Sequence, residues 1–408
     1  MRAPERLGIL ADDFTGACDT AVAFLRNDRA VAVALPGAVL PEAPVLALDT
    51  ASRALNPAAA QQAVRGALTR LAAAGVTLAF KKVDSTLRGQ SGIELAALQS
   101  PDRPVLFCPA FPATGRTVVN GRLLVHGRPL HETEFGGTAE IAAHLAPWAP
   151  GPLHHVALPS VRSPGALAAA VAALGAGWAV LDAETEADLD AIVAVGLQAP
   201  VLPLFAGTGG LGAALARAWF GAAVVTVTTP PGPGLLLAGS RHPATLAQVA
   251  AMPALVFPLP GMPPAAAAAA RLAWVRGGRP AGPRPAEVLG VAVRAAVAEL
   301  AAGRSVLVRA PEAEEEPGAV DRRFAALTYA VLQQQPPGWL FATGGETARS
   351  ACAALGAHVI ELAGERCPGV VQGRLADGPQ AGLPLIAKAG GFGAPDLLAR
   401  LVQGGDRP

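Results

Sequence analysis

The feature that most constrains this chain is a unit that keeps recurring. A short apolar run ends in a turn of Gly, Asp, Ser or Thr, and an Ala-rich stretch with helical spacing follows. Residues 6–10, 30–35, 45–48, 77–83 and 104–108 read as strands, and 154–158, 178–182 and 201–206 continue the series. A second series reads as strands at 235–239, 255–258, 305–309 and 339–342. Strands alternating with helices build mainly parallel sheets with helices on both faces. Such sheets bind their ligands beyond the carboxyl ends of the strands. The expected fold is therefore two α/β domains, and the turns are where chemistry is to be sought.

One turn stands out. In the run 77–95 a strand reaches Lys81, Lys82 and Val83, and Asp84, Ser85, Thr86 and Arg88 follow before a helix from about Gly89. Only Lys81, Lys82 and Lys388 among the 32 basic residues are lysines. A lysine is a compact point charge that can approach a phosphate or alkoxide where the planar guanidinium cannot. All three fall in candidate ligand loops. The first strand ends similarly, in Asp12 and Asp13, with Thr15-Gly16 opening a helix. Carboxylates there suit a metal, a general base or a polyol, and Asp also caps helices well. Asp49 and Arg53 mark another such loop, and Asn56-Pro57 starts a long helix that Gly75 stops.

The stretch 109–133 breaks the alternation. Asn120-Gly121 between apolar runs signals a hairpin, an excursion suited to a lid or a dimer contact. His126 and His131 lie five residues apart on it and would tend to face opposite ways, against a two-His metal site.

Residues 226–234 read as a linker, dividing the chain into 1–225 and 235–408. GTGGLG at 207–212 fits a dinucleotide fingerprint, which also requires an acidic residue about 20 positions on. No acidic residue occurs between Asp190 and Glu287, so a tight strand-to-helix turn is the better account. Three further turns follow the linker: Ser240 and His242 in GSRHPAT, Gly344-Gly345 in ATGGETARS, and Lys388 with Gly390 in KAGGFG. Glycines let backbone amides approach phosphates, and helix N-termini favour anions. Lys388 could neutralise a phosphate oxygen. Neither a Walker loop nor a serine-hydrolase elbow is present.

Bulk properties narrow the classes. Hydrophobic residues make up 52% of the 408 and charged residues 15%, enough apolar material for large cores. A net charge of +1 offers no basic face for nucleic acid. The longest apolar run is short of a membrane span and broken by glycines. Scattered cysteines and the absence of a signal-peptide core fit a cytoplasmic protein.

Together these stretches resemble the four-carbon acid sugar kinase family. The matches are LADDFTGACDTAVAF, KKVDSTLRGQSGIEL, PAFPATGRTVVNGRLLVHGRPLHET, GTGGL, GSRHPATLAQ, ATGGETARSACAALG and KAGGFG, in order over nearly the whole chain. The resemblance implies an N-terminal sugar-acid-binding domain and a C-terminal nucleotide-binding domain. It implies ATP-dependent phosphorylation of threonate, erythronate or a 3-oxo-tetronate at the terminal hydroxyl. By similarity Asp12, Arg53 and Lys82, Val83, Asp84 and Ser85 would hold the acid, and Ser240, Gly344, Gly345, Glu346, Thr347 and Gly390 would hold ATP. After Phe135 the family usually continues with Asp-Pro, where this chain reads GGTAE.

The residue chemistry agrees. Arg53 or Arg88 can grip a carboxylate bidentately. Asp12 and Asp84 can accept from hydroxyls, with Asp12 favoured as the base. Lys82, Lys388, glycine-loop amides and Mg²⁺ would neutralise phosphoryl charge. The two domains are expected to close over their ligands, and a homodimer is a further expectation. The competing readings are an NAD-dependent oxidoreductase on a short sugar acid and a non-catalytic sugar-acid sensor.

Overall fold

The computed structural model describes residues 1–222, 225, 227–252, 256–259, 285–311, 315–316 and 318–403. The Ala/Pro/Gly-rich stretch 262–284, residues 312–314 of the acidic loop, Thr226 of the expected linker and Leu255 of the expected strand lie outside them. The chain divides into two units: Met1–Thr226 with Val359–Gly364, and Val227–His358 with Glu365–Pro408.

The strands of the first unit are β1 (Leu7–Ala11), β2 (Val31–Ala34), β3 (Val45–Asp49), β4 (Thr77–Lys82) and β5 (Val105–Cys108). After the excursion come β9 (His154–Val156), β10 (Trp178–Leu181) and β11 (Leu204–Gly207). They lie in the order β2-β3-β1-β4-β11-β5-β10-β9, and every pairing is parallel. Apart from Thr77 and the edge-strand residues His154 and His155, their residues are buried, the pattern of strands covered on both faces. Phe14, Phe80, Phe107, Phe205 and Trp178 fill the layers against the helices. Each such side chain stabilises the unit by about 1.5–3 kcal/mol.

The excursion is a separate small sheet of β6 (Arg116–Val119), β7 (Arg122–Val125) and β8 (Arg128–Pro129). Asn120 and Gly121 take φ of 51° and 68°, as the hairpin turn requires. His126 and Gly127 repeat this with 49° and 78°, making a second tight turn. The sequence analysis identified only the first.

The second unit contains β12 (Gly234–Ala238), β13 (Val256–Pro258), β14 (Val306–Arg309) and β15 (Trp339–Thr343). It is completed by β16 (Val359–Cys367), shared with the first unit, β17 (Val370–Leu375) and β18 (Pro384–Lys388). The order β13-β14-β12-β15-β18 is parallel, with β17 antiparallel on β18. Leu236, Leu307, Phe341, Ile386 and Leu398 form its core with Trp339.

The expected class, two α/β units with mainly parallel sheets, holds. Strands β16 and β17 went unrecognised, and they change the division of the chain. Val359–Glu361 pairs antiparallel with β2, so a segment of the second half completes the first unit's sheet. The signal was an alternating pattern on either side of Pro368-Gly369, with Gly369 at φ 73°.

Candidate functional site

In the first unit β1, β3, β4 and β11 end level. Ala11 pairs with both Asp49 and Lys82, and Gly207 pairs with Lys82. From β1 the chain passes to β2 and β3 on one side, then crosses to β4 on the other. The carboxyl ends of β1 and β4 thus form the point where strand order reverses, the usual ligand crevice.

Arg53 organises this crevice. Its Nε donates to Asp12 Oδ2 at 2.7 Å and its Nη2 to Asp12 Oδ1 at 2.9 Å. The same Nη2 donates to Asp13 Oδ1 at 2.7 Å and lies 3.5 Å from Asp84 Oδ1. Arg88 grips Asp84 in turn, Nε to Oδ2 at 2.9 Å and Nη2 to Oδ1 at 2.7 Å. Asp84 also accepts from the amide and hydroxyl of Thr86. Leu87 at φ 59° and Gly89 at 92° keep 84–89 from coiling, so the helix begins at Ser91 rather than near Gly89. A Cβ on Gly89 would stand 3.3 Å from Asp12 Oδ2 and 3.4 Å from Arg53 Cα, so this loop lies directly on the ion pair.

These contacts set the charges. Burial alone would raise the Asp12 carboxyl, but the Arg53 guanidinium outweighs it and holds the group below its ordinary range. Burial of Asp84 is likewise outweighed, by Arg53 and Arg88, and its carboxyl lies far below the usual range. Both groups are thus anions at neutral pH with little affinity for a proton. That argues against the expected role of Asp12, and of Asp84, as base. Asp13 is the N-cap of helix Phe14–Ala21, accepting from Gly16 N–H at 2.9 Å and the Thr15 hydroxyl at 2.8 Å.

The adjacent lysines part company because successive strand residues face opposite sides of a sheet. Lys81 is fully buried, pairs with Glu94 at 2.7 Å and donates to the Lys82 carbonyl. It is a strut, not a ligand, which corrects the expectation for that residue. Lys82, 4% exposed, turns the other way, and its Nζ lies 2.9 Å from where a Cβ on Gly16 would be. Val83 is buried, its amide donating to the Gly207 carbonyl at 2.9 Å, while Ser85 is partly exposed.

Two residues absent from the expected set join this place. Asp19, one turn beyond Gly16, has an Oδ1 3.4 Å from the Cβ position of Gly209. Arg116, at the start of the hairpin, is 8% exposed, stacks 5.6 Å from the Phe135 ring, and feels the charges of Asp84 and Arg88. Just beyond Phe135, Gly136 and Gly137 take φ of 62° and 83°. Proline cannot adopt such values, so the loop follows a course that an Asp-Pro pair could not.

The 207–212 turn is close-packed. Thr208 caps helix Gly209–Phe220, and Cβ atoms on Gly207 and Gly212 would meet Cys108 O at 2.1 Å and Thr20 Cγ2 at 2.7 Å. These glycines are required by packing, which agrees with the failure of the dinucleotide fingerprint.

In the second unit the strand order reverses between β12 and β15, and the three candidate turns meet there. Ser240 N–H donates to Thr343 O and Gly344 N–H to Lys388 O. A Cβ on Gly390 would lie 2.2 Å from Ser240 Oγ, and one on Gly239 1.9 Å from Thr347 Oγ1. Gly344 stands at φ 99°, ahead of helix Gly345–Ala354. The amides of Gly345, Glu346 and Thr347 form the first turn of that helix, where N–H groups lack intrahelical acceptors. The Glu346 side chain is exposed and pairs with Arg349. Thr347 donates to Asp321 at 2.8 Å. A pocket of about 170 Å³ beside Ser240 is walled by Leu246, Val249 and Pro311, with Arg241 and Arg309.

Lys388 lies at this point but is fully buried. Its Nζ lies 3.0–3.1 Å from Thr245 Oγ1 and the carbonyls of Ala389, Gly390 and Phe392. Burial pushes its ammonium down to about 8. It binds the glycine loop together from within, a correction to its expected contact with phosphate.

Fold and site define a two-part α/β protein, with a charged crevice in one unit and a glycine-built one in the other. Comparison with known proteins gives the class. Residues 7–215 match a sugar-binding N-terminal domain and residues 235–398 a nucleotide-binding C-terminal domain. A D-threonate kinase from Bordetella bronchiseptica is 37% identical over 97% of this chain and 96% of its own. In Cupriavidus necator a D-threonate kinase is 35% identical over 96% and 95%, and a 3-oxo-tetronate kinase 31% over 97% and 96%. A solved structure from Salmonella typhimurium LT2 has the same fold, with TM-score 0.76 at 22% identity over 97% of this chain and 98% of its own. The chain belongs to the four-carbon acid sugar kinase family. Among the described residues no helix is long and apolar enough to cross a membrane.

Proposed function

We propose that this protein transfers the γ-phosphoryl group of ATP to the terminal hydroxyl of a four-carbon sugar acid, and that D-threonate is the acid to test first. The observation that carries this is the charged crevice of Asp12, Arg53, Lys82, Asp84 and Arg88 at the β1/β4 reversal point. An acid with several hydroxyls needs a cation for its carboxylate and anionic acceptors for its hydroxyls, and both are present. Arg88, whose side chain is 63% exposed, is free to turn from Asp84 towards a substrate carboxylate. Arg53 stays fixed between the aspartates, whose oxygens accept from substrate hydroxyls. Ser85 and the backbone at Val83 line the same loop.

Ser240, Gly344, Gly345, Glu346, Thr347 and Gly390 are the proposed nucleotide contacts, mainly through backbone amides at the start of helix Gly345–Ala354. Lys388 supports them by fixing the Gly390 loop. Among the described residues no cluster of three metal-ligating side chains occurs. Mg²⁺ keeps most of its waters and binds phosphates with one or two protein oxygens. The Thr347 hydroxyl and Asp321 carboxylate are the pair that would hold it. When bound, the ion neutralises phosphate charge.

The test is ADP release with D- and L-threonate, D- and L-erythronate and 3-oxo-tetronates. Turnover with D-threonate well above the others supports the proposal. Turnover with another of these acids keeps the reaction and overturns the substrate. Binding of an acid, followed by thermal shift, without turnover on any of them would support a sensor and overturn the kinase reading.

A further inference from the structure

We propose that Asp19 is the catalytic base, taking the proton from the acceptor hydroxyl while Lys82 holds the charge that develops beside it. This rests on the kinase reading above. The starting point is the set of carboxylates around the first crevice, because phosphoryl transfer to an alcohol must place one proton somewhere. Asp12 is bound on both oxygens by Arg53, and Asp84 on both by Arg88. Asp13 caps a helix and pairs with Arg53. Glu94 is sealed against Lys81 and Ser52. Each of these is paired with a cation, and Asp84 keeps Arg53 at 3.5 Å even if Arg88 turns away.

Asp19 differs. It is half-buried, and its hydrogen bond is from the neutral Thr20 hydroxyl at 2.9 Å. It sits one helical turn from Gly16, on the face against which the Lys82 ammonium rests. Lys82 itself is almost wholly buried, and among the described residues its ammonium is not tied into a salt bridge of the kind that holds Lys81 on Glu94. The Lys82 ammonium acts on both Asp12 and Asp19, but among the described residues no charge-assisted hydrogen bond ties up the Asp19 oxygens, so a ligand hydroxyl can complete the site. The charged groups acting on Asp19 are Lys82 on β4, Asp13 at the helix start and Arg53 in the loop after β3. Helix Gly209–Phe220 presents the uncharged Gly209. Burial dominates, so the Asp19 carboxyl lies above its ordinary value, opposite to Asp12 and Asp84. Carboxylates whose environments push them apart are how one site separates binding from acid–base work.

The step balances simply. The terminal hydroxyl oxygen forms a bond to the γ-phosphorus, the bond from that phosphorus to the β,γ-bridging oxygen breaks, and ADP leaves with the electron pair. The hydroxyl proton passes to Asp19, which later returns it to water. Gly16 leaves the space in which the Lys82 ammonium can reach the transferred group.

The test is Asp19→Asn, which keeps shape and removes basicity. Wild-type turnover on the panel above comes first. Failure there overturns the kinase reading and is seen before any variant is made. With an active wild type, Asp19→Asn is expected to lower kcat by about 10²- to 10⁴-fold, the usual worth of general-base catalysis. KM for the acid and the thermal shift with ATP should change less than about threefold. The acid limb of the wild-type kcat profile should disappear in the variant, and Asp19→Glu should recover part of the rate. A variant with kcat within about threefold of wild type, or with the acid limb intact, overturns the assignment. If Asp19→Asn loses its fold by circular dichroism, the wild-type profile decides: an acid limb no higher than the ordinary carboxylate range overturns the proposal.

Discussion

The two units solve the same topological problem with opposite chemistry. Each has a mainly parallel sheet, and each gathers its candidate residues where strand order reverses. In the first unit that place is crowded with charge: three aspartates around one arginine, a second arginine and a buried lysine. In the second it is built from backbone, with glycines approaching hydroxyls and a buried lysine directed at carbonyls. A small acid with hydroxyls must be recognised group by group, which calls for side chains of both signs in fixed geometry. A polyphosphate can be held by aligned amides, which calls for a backbone free of side chains. The fold supplies the place and the turn residues choose the ligand.

The largest break in this comparison should come at Arg53. In Arg53→Met, Asp12, Asp13 and Asp84 lose a shared cation while remaining buried. Removing one partner from a buried ion pair costs about 3–5 kcal/mol. The first unit's unfolding midpoint should fall accordingly and turnover should vanish, while ATP still raises the second unit's midpoint. Loss of that ATP response would show that the two sites are not separate.

Lys388→Met should give a smaller effect with the opposite pattern. Unpaired acceptors in a buried loop cost about 1–3 kcal/mol. The second unit should lose stability of that order and ATP affinity with it, while acid binding to the first unit persists. If ATP affinity is unchanged, the loop does not depend on the lysine.

The smallest effect is one of pH. Asp12 and Asp84 titrate lower in the folded unit than an ordinary carboxylate, near 3.9. The unfolded chain therefore binds more protons as pH falls through that value, and stability drops. The contribution should be fully present above about pH 5 and lost progressively towards the lower folded values. Acid-unfolding curves of Arg53→Met should be flatter in this window than those of the wild type. Equal slopes would show that Arg53 does not hold these groups down.

Much of this was legible in the chain. Apolar runs ending in Asp, Lys or Gly located the strands and their functional ends, because a parallel sheet buries both faces and leaves chemistry to the turns. Asn56 before Pro57 and the Asn120-Gly121 turn were read from local rules, and both are present. What the sequence could not assign was which charge does what. Lys81 and Lys82 are adjacent and chemically alike; only the pleat, and the helix each side chain meets, makes one a strut and leaves the other facing the crevice. Lys388 has the composition of a phosphate ligand, and only its burial among carbonyls shows otherwise. Asp12 and Asp19 are both aspartates near one turn, and the difference between them is the direct two-oxygen grip of Arg53 on Asp12, brought from another loop. Local propensity writes strands, turns and caps into neighbouring residues. The charge state of a side chain depends on groups far away in the chain, and tertiary structure alone decides those distances.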